Sequence, residues 1–138
     1  MSGLKHLKAA KIKLSNVQLC KMTDAAIEGL KDCKCSELTM SSSDDSHNID
    51  MVVEGLAQNT SITKLSIVLK GQAKFGDDVG ENVARLLEKN NMITDLEVHH
   101  YLNDFGFQMI CKALLNNNSL MKLDLSACCI KDNLSVLG

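Results

Sequence analysis

Three short pairs of histidines and cysteines are the residues of this sequence whose types could bind a metal ion or attack a substrate. They are His99-His100, Cys33-x-Cys35 and Cys128-Cys129. A zinc site combines two such pairs at a set spacing, whereas these three have other spacings and lie far apart. A nucleophilic thiol also needs a base beside it, and Cys35 falls in an apolar pattern. We therefore predict no metal, no cofactor and no catalysis for this chain.

The elements that must position any functional residue are strands, which recur at a nearly constant period. Five pairs of apolar residues have one residue between their members, which is the pattern of a strand with one buried face. The pairs are Ile12/Leu14, Leu38/Met40, Leu65/Ile67, Leu96/Val98 and Leu123/Leu125. Their first members are separated by 26, 27, 31 and 27 positions. The chain is thus predicted to repeat one structural unit.

The segments that link the strands carry a helical pattern. Two apolar residues lie three positions apart in each segment and so share one helical face: Ile27/Leu30, Val53/Leu56, Ala84/Leu87 and Cys111/Leu114. Residues that favour helix starts precede them, at Thr23/Asp24, Asp45/Ser46, Asp77/Asp78 and Asn103/Asp104. Each helix is predicted to end near a residue suited to a turn or cap, namely Cys33, Asn59, Asn90 or Asn117.

A strand and a helix in every unit of 26 to 31 residues resemble the leucine-rich repeat of the ribonuclease-inhibitor-like subclass. The resemblance covers nearly the whole chain, so residues 1–138 are expected to form a single domain. It implies an α/β solenoid, with about five strands in a curved parallel sheet on the concave face and four helices on the convex face. The family usually has Asn or Cys three residues after the second leucine, and only Cys128 fits that position here.

Composition limits the compartment and the partners. The 15 basic and 17 acidic residues give a net charge of -2, which disfavours nucleic acid and anionic membranes as partners. No window is apolar for the roughly 18 residues of a membrane span, and the N-terminus lacks the apolar core of a signal peptide. The six cysteines do not show the paired spacing of secreted repeats, so reduced thiols and a cytoplasmic location are expected.

Both ends of the chain indicate a fragment of a longer array. Gly3-Leu4-Lys5 matches Gly29-Leu30-Lys31, so the chain begins with the last turn of a helix. The segment 130–133 opens a further connection at the other end. Repeat arrays need polar capping units at their ends, and neither end of this sequence has the pattern of one. We therefore expect further repeats in a parent protein.

The residues that alternate with the strand leucines are the ones predicted to face a partner. The first column is Lys11, Glu37, Lys64, Asp95 and Lys122, and the middle column is Lys13, Thr39, Ser66, Glu97 and Asp124. The third column is Ser15, Ser41, Val68, His99 and Ser126. Charges in the first column alternate in sign and could pair across strands about 4.8 Å apart. The face also changes from basic to acidic along the chain, which could orient a partner or simply be a solvated surface.

The third unit is longer than the others. Ile67 and Ala84 are 17 positions apart, against 13 in the other units, which predicts four residues inserted in a loop between strand and helix. This loop or the next contains all four aromatic residues, of which Phe105 or Phe107 is expected in the helix core. Aromatic side chains often anchor interfaces. The predicted partner-binding residues are Lys70, Lys74, Phe75, Glu97, His99, His100, Tyr101 and Asp124.

The predicted function is a noncatalytic protein-protein interaction module that binds a protein partner through the concave face and the inserted loop. The segment NNNSLMKLDLSACCI resembles the C-terminal repeats of NOD-like immune receptors, which implies ligand recognition or regulation within a larger cytosolic protein. Residues 76–122 are also similar to tropomodulin and leiomodin, which implies the alternative of binding at the pointed end of actin filaments. A ribonuclease-inhibitor-like enzyme inhibitor is a third reading, disfavoured by the lysines of the concave face. The oligomeric state stays open.

Overall fold

The structure is a computed structural model that describes residues 11–15, 23–42, 49–70, 77–100, 102 and 104–125. Strands and helices alternate along this part of the chain: β1 (Lys11–Leu14), α1 (Asp24–Asp32), β2 (Glu37–Ser42), α2 (Asp50–Ala57), β3 (Lys64–Leu69), α3 (Asp77–Lys89), β4 (Asp95–His99), α4 (Asp104–Leu114) and β5 (Lys122–Asp124). The predicted α/β class and the predicted numbers of strands and helices are confirmed. None of the helices described is long and apolar enough to cross a membrane.

All five strands form one parallel sheet in the order β1-β2-β3-β4-β5. The register keeps equivalent residues of successive units side by side, so that Ile12, Leu38, Leu65, Leu96 and Leu123 form one row across the sheet. Parallel neighbours need a crossover connection, and α1 to α4 lie one in each of the four connections.

The core lies between one face of the sheet and one side of each helix. The strand leucines and their partners in β2, β3 and β4 are buried together with the predicted helix pairs of α1, α2 and α3. Residues of β1 and β5 that occupy the same rows are only half-buried, because each of these strands has a hydrogen-bonded neighbour on one side only. The period-2 and period-3 patterns therefore predicted the interior correctly for these elements.

The prediction for α4 is wrong by one residue. Ile110 and Ala113 are buried, whereas Cys111 is exposed and Leu114 is half-buried. The helix is turned so that the branched Ile110 faces the core, which buries more apolar surface than a cysteine would. Phe105 is 54% exposed, and Phe107 is half-buried, outside the core cluster.

Helix α3 is longer than α2, and the connection before α3 is longer than the one before α4. Ten positions separate Ile67 from the start of α3 at Asp77, and ten also separate Met40 from the start of α2 at Asp50. Helix α3 has 13 residues, against 8 in α2. Only six positions separate Val98 from the start of α4 at Asp104, so the connection before α3 is four residues longer than that of the fourth unit. The predicted insertion before α3 is therefore seen against the fourth unit and not against the second. Asp45 and Ser46 lie outside the described residues and α2 begins at Asp50, whereas α1, α3 and α4 begin where the sequence indicates.

Two glycines allow α3 and α4 to approach closely. A Cβ atom placed on Gly80 would lie 2.4 Å from Cα of Gly106, and 2.8 Å from its carbonyl carbon. Real Cβ atoms do not come this near to backbone, so the contact requires glycine at position 80. The longer helices of the third and fourth units are therefore packed backbone to backbone.

Candidate functional site

The face of the sheet opposite the core carries the candidate site, which we call the polar face. Its residues are the three columns named above, as far as the described strands contain them, and the register places each column in one row across the sheet. Every described member of these columns is half-buried or exposed. The side chains of this face can therefore contact another molecule.

At the β1–β3 end of the polar face, charges pair as the alternation predicts. Nζ of Lys11 lies 3.3 Å from Oε2 of Glu37, and Nζ of Lys64 lies 3.4 Å from Oε1 of the same carboxylate. The hydrogen bond from Lys11 is the main reason that the pKa of Glu37 lies below its ordinary value, and Lys64 lowers it further. All three side chains are partly or largely exposed, so each pair contributes little to folding.

At the β4–β5 end the predicted ladder does not continue. Asp95 lies between Lys64 and Lys122 in the register, yet among the described residues no ion pair joins it to either lysine. Oδ1 of Asp95 instead accepts a hydrogen bond from the Thr94 hydroxyl at 3.1 Å. The alternating charges of the sequence therefore form a paired network in only one half of the sheet.

The middle column brings two carboxylates together at this end. Glu97 of β4 and Asp124 of β5 are register partners. Oε1 of Glu97 contacts Nε2 of His99 on the same strand and accepts a hydrogen bond from the Ser66 hydroxyl at 3.5 Å. A shallow depression lies beside these groups, lined also by Asp95 and by the two lysines Lys64 and Lys122.

A second depression lies at the other end of the same face. Its lining includes Lys11, Lys13, Glu37 and Lys64 with the hydroxyl residues Thr39 and Ser66. One concavity of the polar face is therefore predominantly basic, whereas the other combines three carboxylates with two lysines, and Lys64 and Ser66 line both.

The structure brings together only part of the predicted binding set. Glu97, His99 and Asp124 lie on the polar face, and Lys70 is exposed directly after β3, where its backbone N–H donates to the Ser42 carbonyl oxygen at 2.8 Å. His100 is 5% exposed, which disfavours it as a contact residue. It follows a strand residue that faces solvent, and alternation turns it toward the interior. Lys74, Phe75 and Tyr101 are outside the described residues.

Cys33 and Cys35 are the two buried cysteines of the described residues that could supply a nucleophile. Sγ of Cys33 donates a hydrogen bond to Sγ of Cys35 at 3.2 Å, and both residues are buried. Burial, followed by the contact with Cys33, raises the pKa of Cys35 to about 12. The reactive thiolate is therefore scarce at neutral pH. Within the described part of the chain, no group of three His, Cys, Asp or Glu side chains is arranged to hold a metal ion.

Three asparagines that were predicted only as helix caps also make side-chain hydrogen bonds between units. They are Asn59, Asn90 and Asn117. Oδ1 of Asn90 accepts hydrogen bonds from the backbone N–H groups of Met92 and Ile93 at 2.7 and 2.9 Å. Its Nδ2 group donates to the Leu56 carbonyl oxygen of the preceding unit at 2.8 Å. One amide thus shapes the turn before β4 and also ties it to the previous unit.

The other two asparagines repeat this arrangement. Nδ2 of Asn59 donates to the carbonyl oxygen of Leu30 at 2.8 Å, and Nδ2 of Asn117 donates to that of Leu87 at 2.7 Å. The spacing of 31 and 27 positions between the three asparagines equals the spacing of the following strands, and this was the available signal. These contacts set the position of the strands and hence of the polar face.

A scan against models of protein families finds no match for this chain, and neither does a search of curated proteins.

Proposed function

We propose that this chain is a noncatalytic protein-binding module that has the architecture of a leucine-rich repeat solenoid. The polar face is its concave side and its contact surface. Support for the architecture comes from the constant in-phase register of five parallel strands, and from a helix in every connection. The asparagine contacts between successive units are further support, because stacked repeats depend on such nearest-neighbour interactions.

One observation carries the binding proposal: the two interior rows from Ile12 and Leu14 are apolar in every unit, whereas the rows of the polar face vary in chemical type. The row from Ile12 to Leu123 contains only isoleucine and leucine. The adjacent middle column changes from Lys13 through Thr39 and Ser66 to Glu97 and Asp124. Packing explains uniform rows, whereas a face that is exposed, regularly spaced and varied in chemistry can recognise a partner.

The dimensions of the face suit a protein segment. Five strands at about 4.8 Å spacing give a width of about 19 Å between the first and last strand. A surface of this width accommodates a short extended segment or the side of one helix. Hydroxyl groups of Thr39 and Ser66 at its centre offer hydrogen bonds with little steric obstruction.

The cytosolic parent protein that we propose, such as a NOD-like receptor, rests on the sequence resemblance alone. The two alternative functions predict that the polar face binds different proteins. An actin-capping module would enrich actin, and a ribonuclease inhibitor would enrich a basic nuclease. The lysines at the β1–β3 end disfavour the nuclease, since Lys11, Lys13 and Lys64 would repel a cationic partner.

The test is affinity capture from cytosolic extract with the immobilised chain, read by mass spectrometry, and two variants that each add one arginine. Ser66→Arg places a long side chain at the centre of the polar face. Glu88→Arg places it on an exposed position of α3, away from this face. Circular dichroism and thermal unfolding establish that both variants are folded.

We expect proteins captured by the unchanged chain to be lost with Ser66→Arg and retained with Glu88→Arg. Actin among these proteins would select the tropomodulin-like alternative, and a ribonuclease would select the inhibitor. Equal capture by the unchanged chain and the folded Ser66→Arg variant would refute the polar face as the contact surface.

A further inference from the structure

We propose that Cys33 and Cys35 form a reversible disulfide, by exchange with a small disulfide oxidant such as oxidised glutathione, when the connection between α1 and β2 opens. This inference goes beyond the proposed binding function and does not depend on it. It assigns a redox-sensitive modification site to a pair of thiols in the interior, on the side of the sheet away from the polar face.

The first argument is the geometry of the two thiols. Sγ of Cys33 lies 3.2 Å from Sγ of Cys35, whereas a disulfide bond holds two sulfur atoms about 2.0 Å apart. Burial alternates along this connection, since Cys33 and Cys35 are buried and Lys34 and Ser36 are exposed. Both thiols therefore lie on the same side of the segment, and a movement on the order of 1 Å can join them.

The second argument is that a cysteine stands where the other connections have an asparagine. Cys33 follows a helix leucine by three positions, as Asn59, Asn90 and Asn117 do in the later units. Each asparagine side chain accepts hydrogen bonds from two backbone N–H groups. A thiol is only a weak acceptor, and that of Cys33 is directed at Cys35. Departures from a rule that the rest of a fold keeps are expected at functional sites.

The third argument is that the site is closed by contacts that can open. Burial raises the pKa of Cys35 to about 12, so the closed connection keeps this thiol unreactive. The connection is held to the next unit by Asn59, whose Nδ2 group donates to the carbonyl oxygens of Leu30 and Cys33 at 2.8 and 3.0 Å. The residue between the cysteines, Lys34, is exposed. Opening of this single surface segment therefore brings both thiols into water.

The reaction balances through two exchange steps. One cysteine thiolate attacks a sulfur of oxidised glutathione, which forms a mixed disulfide and releases one glutathione thiolate. The second cysteine thiolate attacks the protein sulfur of this mixed disulfide, which forms the bond between Cys33 and Cys35 and releases the second glutathione thiolate. The protein thus loses two electrons and two protons, and the two glutathione molecules take up both. Excess reduced thiol reverses the exchange, as expected for a transient disulfide in a reducing compartment.

The test uses trypsin, because Lys34 separates the two cysteines in the sequence. The folded chain is incubated with oxidised glutathione at neutral pH, its remaining thiols are alkylated during unfolding, and the digest is read by mass spectrometry. We expect peptides 32–34 and 35–64 to appear joined, and to separate after treatment with dithiothreitol. Cys111→Ser, which removes an exposed thiol, should leave the amount of the joined peptides unchanged.

The exposed Cys111 of the unchanged chain reports whether the oxidant is active. Glutathione on Cys111 while Cys33 and Cys35 stay reduced would overturn the proposal. Stable glutathione adducts on Cys33 or Cys35 without joined peptides would also overturn it, because the second exchange step would then not occur.

Two asparagine variants separate local opening from global unfolding. Asn59→Ala and Asn90→Ala remove equivalent side-chain hydrogen bonds, but among the described residues only Asn59 contacts the connection that contains the cysteines. We expect Asn59→Ala to accelerate disulfide formation about tenfold, since the loss of a buried hydrogen bond favours local opening by about that factor. Asn90→Ala should leave the rate nearly unchanged. Equal acceleration by two variants that circular dichroism shows to be folded would place the reaction in the unfolded chain and refute a site built into the native connection.

Discussion

The connections that lead from helix to strand and the polar face that follows them are built on opposite principles. In the connections, Asn59, Asn90 and Asn117 repeat one set of contacts in three successive units. On the polar face, no column repeats a residue type across all its units. Repeated residues therefore fix where the strands lie, and the residues that do not repeat are the ones that we propose for partner binding.

Backbone contacts at the same place strengthen this contrast. The N–H groups of Thr94 and Asp95 both donate to the Thr63 carbonyl oxygen, at 2.8 and 3.1 Å. One unit later, the N–H groups of Met121 and Lys122 both donate to the Thr94 carbonyl oxygen, at 2.7 and 2.9 Å. The entry into each strand is thus copied along the chain, although Met121 replaces threonine.

The largest effect is expected where a repeated contact is removed. In Asn90→Ala, two backbone N–H groups and the Leu56 carbonyl oxygen lose the side-chain partner that the buried Asn90 provides. Each buried group left unsatisfied costs about 1–3 kcal/mol. We expect the free energy of unfolding to fall by about 3 kcal/mol, measured by urea denaturation followed by circular dichroism.

Asn91→Ala is the matched control, because Asn91 is the adjacent asparagine and is exposed. It should change the free energy of unfolding by no more than about 0.5 kcal/mol. Asn117→Ala should fall between the two, since Asn117 is half-buried. If Asn90→Ala and Asn91→Ala were equivalent, the repeated contacts would not be what holds the units together.

Most of the fold could be predicted because buried apolar residues recur at regular intervals in the sequence. Rows such as Leu38, Leu65 and Leu96 follow from alternation, and the period of the units follows from their spacing. The sequence did not predict the rotation of α4, since Cys111 and Ile110 are both apolar and only packing decides which of them faces inward. Nor could it show whether four extra residues lengthen a loop or a helix.

The candidate site was predictable in its columns but not in its pairing. Alternation placed Glu37 and Asp95 correctly beside two lysines each. Whether Lys64 forms its ion pair with Glu37 or with Asp95 depends on side-chain conformations that the sequence does not determine. His100 is buried because alternation places its side chain on the face opposite to that of His99.

A smaller effect is expected for the close contact between α3 and α4. Gly80→Ala would place a methyl group 2.4 Å from Cα of Gly106, so the two backbones must separate. Overpacking costs about 1–3 kcal/mol, and the better helix propensity of alanine offsets about 1 kcal/mol. We expect a net loss of about 2 kcal/mol in the free energy of unfolding.

Gly55→Ala provides the comparison within the repeated architecture. The new Cβ would lie 3.0 Å from the Ile27 carbonyl oxygen and 3.1 Å from Cβ of Leu30, so only a small adjustment is needed. It should therefore be clearly less destabilising than Gly80→Ala. Equal losses would mean that α3 and α4 are not packed more closely than α1 and α2.

The smallest effect is expected on the polar face itself, where Glu37 tests whether a paired charge matters for folding. Its pKa is lowered, so the contacts with Lys11 and Lys64 stabilise the folded state above the ordinary value of 4.5 and are lost as the pH falls through the folded-state pKa. Lys11→Met should raise the Glu37 pKa toward 4.5, measured by NMR titration of its carboxyl carbon. At neutral pH the unfolding midpoint should hardly move, because both groups are accessible to solvent.

Lys13→Met is the control for this titration, because Lys13 lies on the same strand and forms no ion pair with Glu37 among the described residues. It removes the same charge from β1 and should leave the Glu37 pKa close to that of the unchanged chain. If the two variants raised the Glu37 pKa equally, the lysines of β1 to β3 would act on Glu37 as a diffuse field and not through contacts between neighbouring strands. Direct contact instead means that Lys11, Glu37 and Lys64 satisfy one another locally across the first three strands.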